Sequence, residues 1–115
     1  MTSYDAGEIV LVRYPFTDLT TSKKRPAVIL SPRTYTARFG DLVLMPLTSQ
    51  ADADSSLALS QWRAAGLLKP SWVKPMIGTL TTHLIERRMG QLADADQRCV
   101  QSALAILLEN RWTGT

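Results

Sequence analysis

Three short apolar runs, each closed by a proline or a polar turn, dominate the first half of this chain. Ile9-Val10-Leu11-Val12 leads to Tyr14-Pro15, Pro26-Ala27-Val28-Ile29-Leu30 leads to Ser31-Pro32, and residues 42–47 follow Gly40-Asp41 and stop at Thr48-Ser49-Gln50. Each is too short for a buried helix, and each is rich in the β-branched residues that suit a pleated surface. All three predict strands. The first two, separated by a polar, turn-rich stretch over residues 17–24, predict a hairpin with a long loop.

The second half is less regular. Ala, Asp and Ser dominate residues 51–56, which predicts a mobile loop before a weak strand at residues 57–59. Residues 72–77 are broken by Pro75, residues 79–82 with Leu84-Ile85 read as a short strand or turn, and residues 87–92 read as a further strand. A helix is predicted next, with Asp94 capping it and Gln97 reaching back. Val100, Ala103, Leu104, Leu107 and Leu108 recur at spacings of three and four, so one helix face should pack on the sheet. The resulting expectation is one domain over residues 1–115, mainly β with a C-terminal helix, an SH3-like antiparallel barrel.

At 115 residues there is material for one core, and 45% hydrophobic with 20% charged residues is the balance of a globular domain. Cys99 is the sole cysteine and His83 the sole histidine, so neither a disulfide nor a clustered zinc site has sequence support. No G-x-S-x-G elbow, G-x-G-x-x-G loop or Walker lysine is present. No cofactor and no metal is expected. The polar start, Met1 to Gly7, and the lack of a long apolar run lead to an expectation of a cytoplasmic protein outside any membrane.

The formal charge of +3 is mild, but Lys23, Lys24 and Arg25 stand together, with Arg33 and Arg38 close behind. A polyanion would suit that distribution, although a solvated loop is the plainer reading. An arginine at the mouth of a strand and a hydroxyl-bearing strand end at Thr48 suit a phosphodiester. Guanidinium stays charged and donates two parallel hydrogen bonds to phosphate oxygens, and a threonine adds a neutral donor. RNA supplies its own nucleophile, the 2′-hydroxyl. Cleavage without a metal then requires neutralising the phosphorane and protonating the 5′-oxygen as it leaves. The plainer alternative pairs Arg25 with a carboxylate such as Asp18 and uses Thr48 to satisfy a strand-end amide.

Residues 7–12 (Gly-Glu-Ile-Val-Leu-Val), Pro15-Phe16-Thr17-Asp18-Leu19 and residues 24–31 (Lys-Arg-Pro-Ala-Val-Ile-Leu-Ser) resemble the MazF/PemK toxin family. The likeness continues through residues 43–50, through 66–74 and through Met89-Gly90-Gln91-Leu92, so it covers nearly the whole chain. It implies an SH3-like barrel, a homodimer, and sequence-selective cleavage of single-stranded RNA to a 2′,3′-cyclic phosphate, with arrest of translation and growth. It also implies a cognate antitoxin whose tail fills the RNA groove, with DNA contacted only through that complex. By the same resemblance the arginine of the Arg-Pro motif falls on Arg25 and the threonine closing the third strand on Thr48, a catalytic pair. Lys23, Lys24, Thr17, Ser49, Gln50 and Lys74 are the residues expected to hold RNA.

One departure stands out: some members carry an acid two positions beyond a basic residue after the Pro-Ser-x-Val segment, where this chain has Lys74 and Met76. Met76 cannot carry a proton, so a catalytically silent RNA binder is one alternative. A non-nuclease toxin that binds gyrase on the same scaffold, through the terminal helix and tail, is another. Phe16, Trp62 and Trp72 could stack on bases, with packing the simpler role for Trp72. His83 reads as structural, and Cys99 as a small buried hydrophobe.

Overall fold

A computed structural model describes residues 3–13 and 23–109. Strand β1 (Glu8–Arg13), β2 (Lys24–Ile29) and β3 (Asp41–Thr48) realise the three apolar runs. The later strands are β4 (Trp72–Val73), β5 (Gly78–Thr81) and β6 (Ile85–Gln91). Antiparallel ladders join them in the order β4-β3-β2-β1-β6, with β5 forking off β3. Among the described residues this path does not close on itself, so the mainly β class with a C-terminal helix holds while the sheet is open rather than a closed barrel.

The first three runs are nearly continuous in apolar residues because both faces of these strands are covered. Ile9, Val28, Met45 and Leu47 face one core, roofed by Cys99 and Ala103 of helix α2 (Gln97–Leu108) and by Leu57, Leu59 and Leu67 from the intervening loops. Val10, Val12, Ala27, Ile29, Leu42 and Leu44 face the other, closed by Leu80 of β5. Each Val, Leu, Ile or Met among them, fully buried, contributes about 1.5–3 kcal/mol relative to exposure. Trp62 and Trp72 are half-buried against the first core, in the packing role that Trp72 was expected to take.

Several boundaries differ from the expectation. Residues 57–59 form no strand; Ser55–Leu57 is a 3-10 turn, and only Ala58 bridges to Trp72. The helix begins later than predicted: Asp94–Asp96 is a 3-10 turn and α2 starts at Gln97 without a side-chain cap. Asp94 does meet Gln97, but through the Gln97 side-chain amide at 3.5 Å rather than a backbone donor. The apolar helix face also fades at its end, where Ile106, Leu107 and Leu108 are exposed.

A helix that the sequence did not signal, α1 (Arg33–Phe39), connects β2 to β3. None of its residues is buried, so it has no apolar period to read. It is bounded by Pro32 and by Gly40, whose left-handed backbone carries an N–H back to the Thr36 carbonyl. Arg38 stacks over Phe39 at 4.8 Å on its outer face.

Candidate nucleic-acid interface at the end of the third strand

Thr48 closes β3, opposite Trp72 of β4. Its half-buried hydroxyl oxygen accepts the Gln50 amide at 3.0 Å. The strand-end role is therefore present, yet it uses only a lone pair and leaves the hydroxyl proton to donate elsewhere. Two clefts open on either side of this residue, and Thr48 lines both.

The first cleft has a volume of about 300 Å³, at the small end of ligand-binding cavities. Leu11, Pro26, Leu47 and Met89 give it an apolar floor, while Lys69 and Arg87 bring cationic groups. Ser49 and Ser71 add hydroxyls beside Thr48. The second cleft, about 210 Å³, is lined by Thr48, Gln50, Asp52, Trp72 and Lys74. Nearby, Asp54 accepts the Ser56 hydroxyl at 2.6 Å and the Ser56 amide at 2.9 Å, and these two bonds hold its carboxyl below the ordinary range.

Of the residues expected at the site, Thr48 lines both clefts, Ser49 the first, and Gln50 and Lys74 the second. Arg25 lines neither cleft, although its neighbour Pro26 lines the first. It sits half-buried on β2 across from Val12, and the β2–β3 ladder ends at Ala27 and Pro46. Beyond Pro46 the third strand pairs with β4, at Leu47 and Thr48, so Arg25 and Thr48 are not partners across a ladder. Among the described residues no carboxylate lies within ion-pair distance of Arg25.

Lys23 and Lys24 are exposed and line neither cleft; Lys24 instead pairs with Glu86 at 3.7 Å, as does Arg13 at 3.1 Å. Thr17, Phe16 and Asp18 lie outside the described residues. His83 is exposed in a 3-10 turn (Thr82–Leu84), and Met76 is half-buried. Lys69, Ser71, Arg87 and Met89 were missed by sequence reasoning. Lys69, Ser71 and Met89 stand inside segments that carry the family resemblance, but which β6 side chains face the cleft depends on register shifts opposite β1, which no pattern announces.

A larger cavity, about 360 Å³, lies between α2 and the ends of β2 and β6, and no ionisable side chain lines it. It brings no charge to a phosphate, only the side-chain amides of Gln91, Gln97 and Gln101. Among the described residues no three His, Cys, Asp or Glu side chains gather as a metal site, and no helix is long and apolar enough to cross a membrane.

Residues 5–108 match the family described as PemK-like, MazF-like toxin of type II toxin-antitoxin system. The chain belongs to this family. No curated protein sequence matches it. Its fold is shared with MazF from Deinococcus radiodurans, at 21% identity over 94% of this chain and 98% of that one, with a TM-score of 0.73. A MazE-MazF complex from the same organism matches at 20% identity over 93% and 97%, TM-score 0.71. An endoribonuclease from a mycobacterial species matches at 19% identity over 97% of both chains, TM-score 0.70. Membership places the chain among the toxins of type II toxin-antitoxin systems.

Proposed function

We propose that this MazF-like chain is a ribonuclease toxin that cuts single-stranded RNA, with Thr48 beneath the scissile phosphate. The observation that carries this reading is the position of Thr48 on a ridge between two clefts, with Lys69 and Arg87 on one side and Lys74 on the other. A strand laid across the ridge would seat one base on the apolar floor of the first cleft and another against Trp72 in the second. The phosphate between them meets the Thr48 hydroxyl and the guanidinium of Arg25, the residue before Pro26 of the first cleft.

In the proposed reaction the 2′-oxygen bonds to phosphorus as its proton leaves, and the bond from phosphorus to the 5′-oxygen breaks as that oxygen gains a proton. The products are a 2′,3′-cyclic phosphate and a 5′-hydroxyl. Arg25 stabilises the charge that builds on the phosphorane, and a preorganised donor of this kind is typically worth about 10²–10³ in rate. Lys74 and Arg87 hold flanking phosphates, which adds affinity without base choice. Homodimerisation and an antitoxin segment competing for this groove belong to the same reading. MazE seated on MazF in a relative supports the antitoxin, and the exposed Ile106, Leu107 and Leu108 support a covered α2 end.

The test is cleavage of a synthetic single-stranded RNA in the presence of chelator. Wild-type protein should leave a cyclic phosphate end, and Arg25→Ala should lose turnover while remaining folded. Thr48→Val should slow turnover about 10- to 100-fold, the range for a hydrogen bond to a charged group. If Arg25→Ala still arrests growth without cutting RNA, the gyrase-binding alternative takes over. Wild-type binding without cleavage would make the chain a silent RNA binder.

A further inference from the structure

Asp96 is fully buried, yet its carboxylate does not serve the helix it precedes. Both oxygens reach instead to a segment 35 and 36 residues earlier in the chain. One oxygen accepts the Ser60 amide at 2.9 Å and the Ser60 hydroxyl at 2.7 Å, and the other accepts the Gln61 amide at 2.8 Å. Three donors on one buried carboxylate are what its removal from water requires.

The residues so held begin a turn, with the Ala65 amide on the Gln61 carbonyl at 3.1 Å and the Leu67 amide on the Trp62 carbonyl at 3.1 Å. Asp96 therefore caps that turn from a distant part of the chain, as an N-cap residue would from within it. The turn delivers its last residues to the first cleft: Leu67 is buried, whereas Leu68 is 83% exposed and, with Lys69, lines the cleft facing Thr48. The wall belongs to no strand; its far end is tied by the Leu59 amide on the Ser71 carbonyl at 3.0 Å, and its near end is placed by the turn that Asp96 anchors.

We infer that Asp96 is a positioning residue for substrate selection: by fixing the turn over residues 60–67 it sets the width of the apolar cleft that takes a base. This rests on the ribonuclease reading of that cleft. Asp96 touches no RNA. It acts through Leu68 and Lys69, so its loss should weaken and broaden recognition rather than slow the chemistry at Thr48.

The experiment compares wild type, Asp96→Asn and Ser60→Ala in full-length protein, by kinetics on a synthetic RNA and by sequencing fragment ends after digestion of total RNA. Asp96→Asn keeps one acceptor and sets an amide donor against the Gln61 N–H, so KM should rise about tenfold with kcat within about twofold, and the cut motif should lose a base requirement. Ser60→Ala, which removes one bond of three, should shift both in the same direction by less. The proposal is overturned if folded Asp96→Asn keeps the wild-type KM and motif, or loses kcat alone. Should Asp96→Asn fail to fold, an unchanged KM and motif in Ser60→Ala overturns it instead. A wild-type protein that cuts no RNA removes the ribonuclease reading and this role together, whereas cutting by wild type with unaltered variants removes only this role.

Discussion

Gly66 and Gly90 lie backbone against backbone, so that a Cβ on Gly66 would sit 2.8 Å from the Met89 carbonyl carbon and one on Gly90 would sit 2.7 Å from that of Ala65. Both distances are shorter than side chains tolerate, and the carbonyl oxygens are nearer still. The contact presses the turn before the cleft wall onto β6, next to Met89 of the cleft floor. Gly40 offers a natural control, since its φ of +83° resembles the +91° of Gly66 but nothing lies within 4 Å of its added Cβ. Gly40→Ala should cost about 1–2 kcal/mol, from the left-handed backbone alone. Gly66→Ala should cost that plus about 1–3 kcal/mol of overpacking, and Gly90→Ala the overpacking share. Urea denaturation of the three variants checks this ordering, and equal losses at Gly40 and Gly66 would mean that the close approach is relieved without strain.

The acid limit of stability should depend on Asp96. Burial pushes its carboxyl up, but the bonds from the Ser60 hydroxyl and from the Ser60 and Gln61 amides, with the Arg98 charge, outweigh burial and leave it below the ordinary carboxylate range. A group lowered on folding adds stability that is complete above its unfolded pKa, about 3.9, and is lost as pH falls through the folded value. Stability of the wild type should therefore drop more steeply below about pH 4 than that of Asp96→Asn, with Arg98 and Cys99 as the neighbouring ionisable groups. Thermal melts of both proteins between neutral and acid pH give the comparison. Parallel curves would show that the carboxylate gains nothing from its three donors.

Much of this architecture was legible because it depends on local pattern. The runs at Ile9, Ala27 and Leu42 became strands buried on both faces, and Val100, Ala103 and Leu104 fell on the packed side of α2. Thr48, Ser49 and Gln50 are neighbours because a strand end and its following turn keep them together, whereas Lys74 comes to the second cleft through the β3–β4 pairing, with its amide on the Pro46 carbonyl. Arg87 and Lys69 were not legible, since their meeting depends on β6 crossing β1 with two register shifts and on a turn held by a carboxylate far along the chain. Asp96 itself was read only as helix sequence, because a cap acting across 35 residues leaves no spacing to detect.

Cys99 should be inert in the native protein. It is fully buried, burial pushes its thiol up from the ordinary range, and its Sγ donates to the Ala58 carbonyl at 3.2 Å. Thiolate is the reactive form, so a raised and buried thiol reacts through opening of the fold. Labelling by a soluble thiol reagent should be at least about 100-fold slower in buffer than in denaturant, given the usual folded excess. Cys99→Ala should keep RNA cleavage unchanged. Rapid native labelling, or lost cleavage in the alanine variant, would give Cys99 a role that its burial denies.

Salt dependence should separate the cations that face the clefts from those that do not. Each phosphate neutralised on a single strand contributes about 0.7 to the slope of log affinity against log salt, through counterion release. Arg87 and Lys69 line the first cleft and Lys74 the second, and among the described residues none of the three has a carboxylate within ion-pair distance. Arg87→Gln and Lys74→Gln should each lower the slope by about 0.7 while weakening different RNA sequences to a similar degree. Lys24 lies outside both clefts and shares Glu86 with Arg13, so Lys24→Gln should change the slope by less than half as much. Titration of a 2′-deoxy-substituted, uncleavable oligonucleotide at several salt concentrations measures all three. A larger slope change at Lys24 than at Arg87 would place the strand along the hairpin edge, and the ridge at Thr48 would no longer be its path.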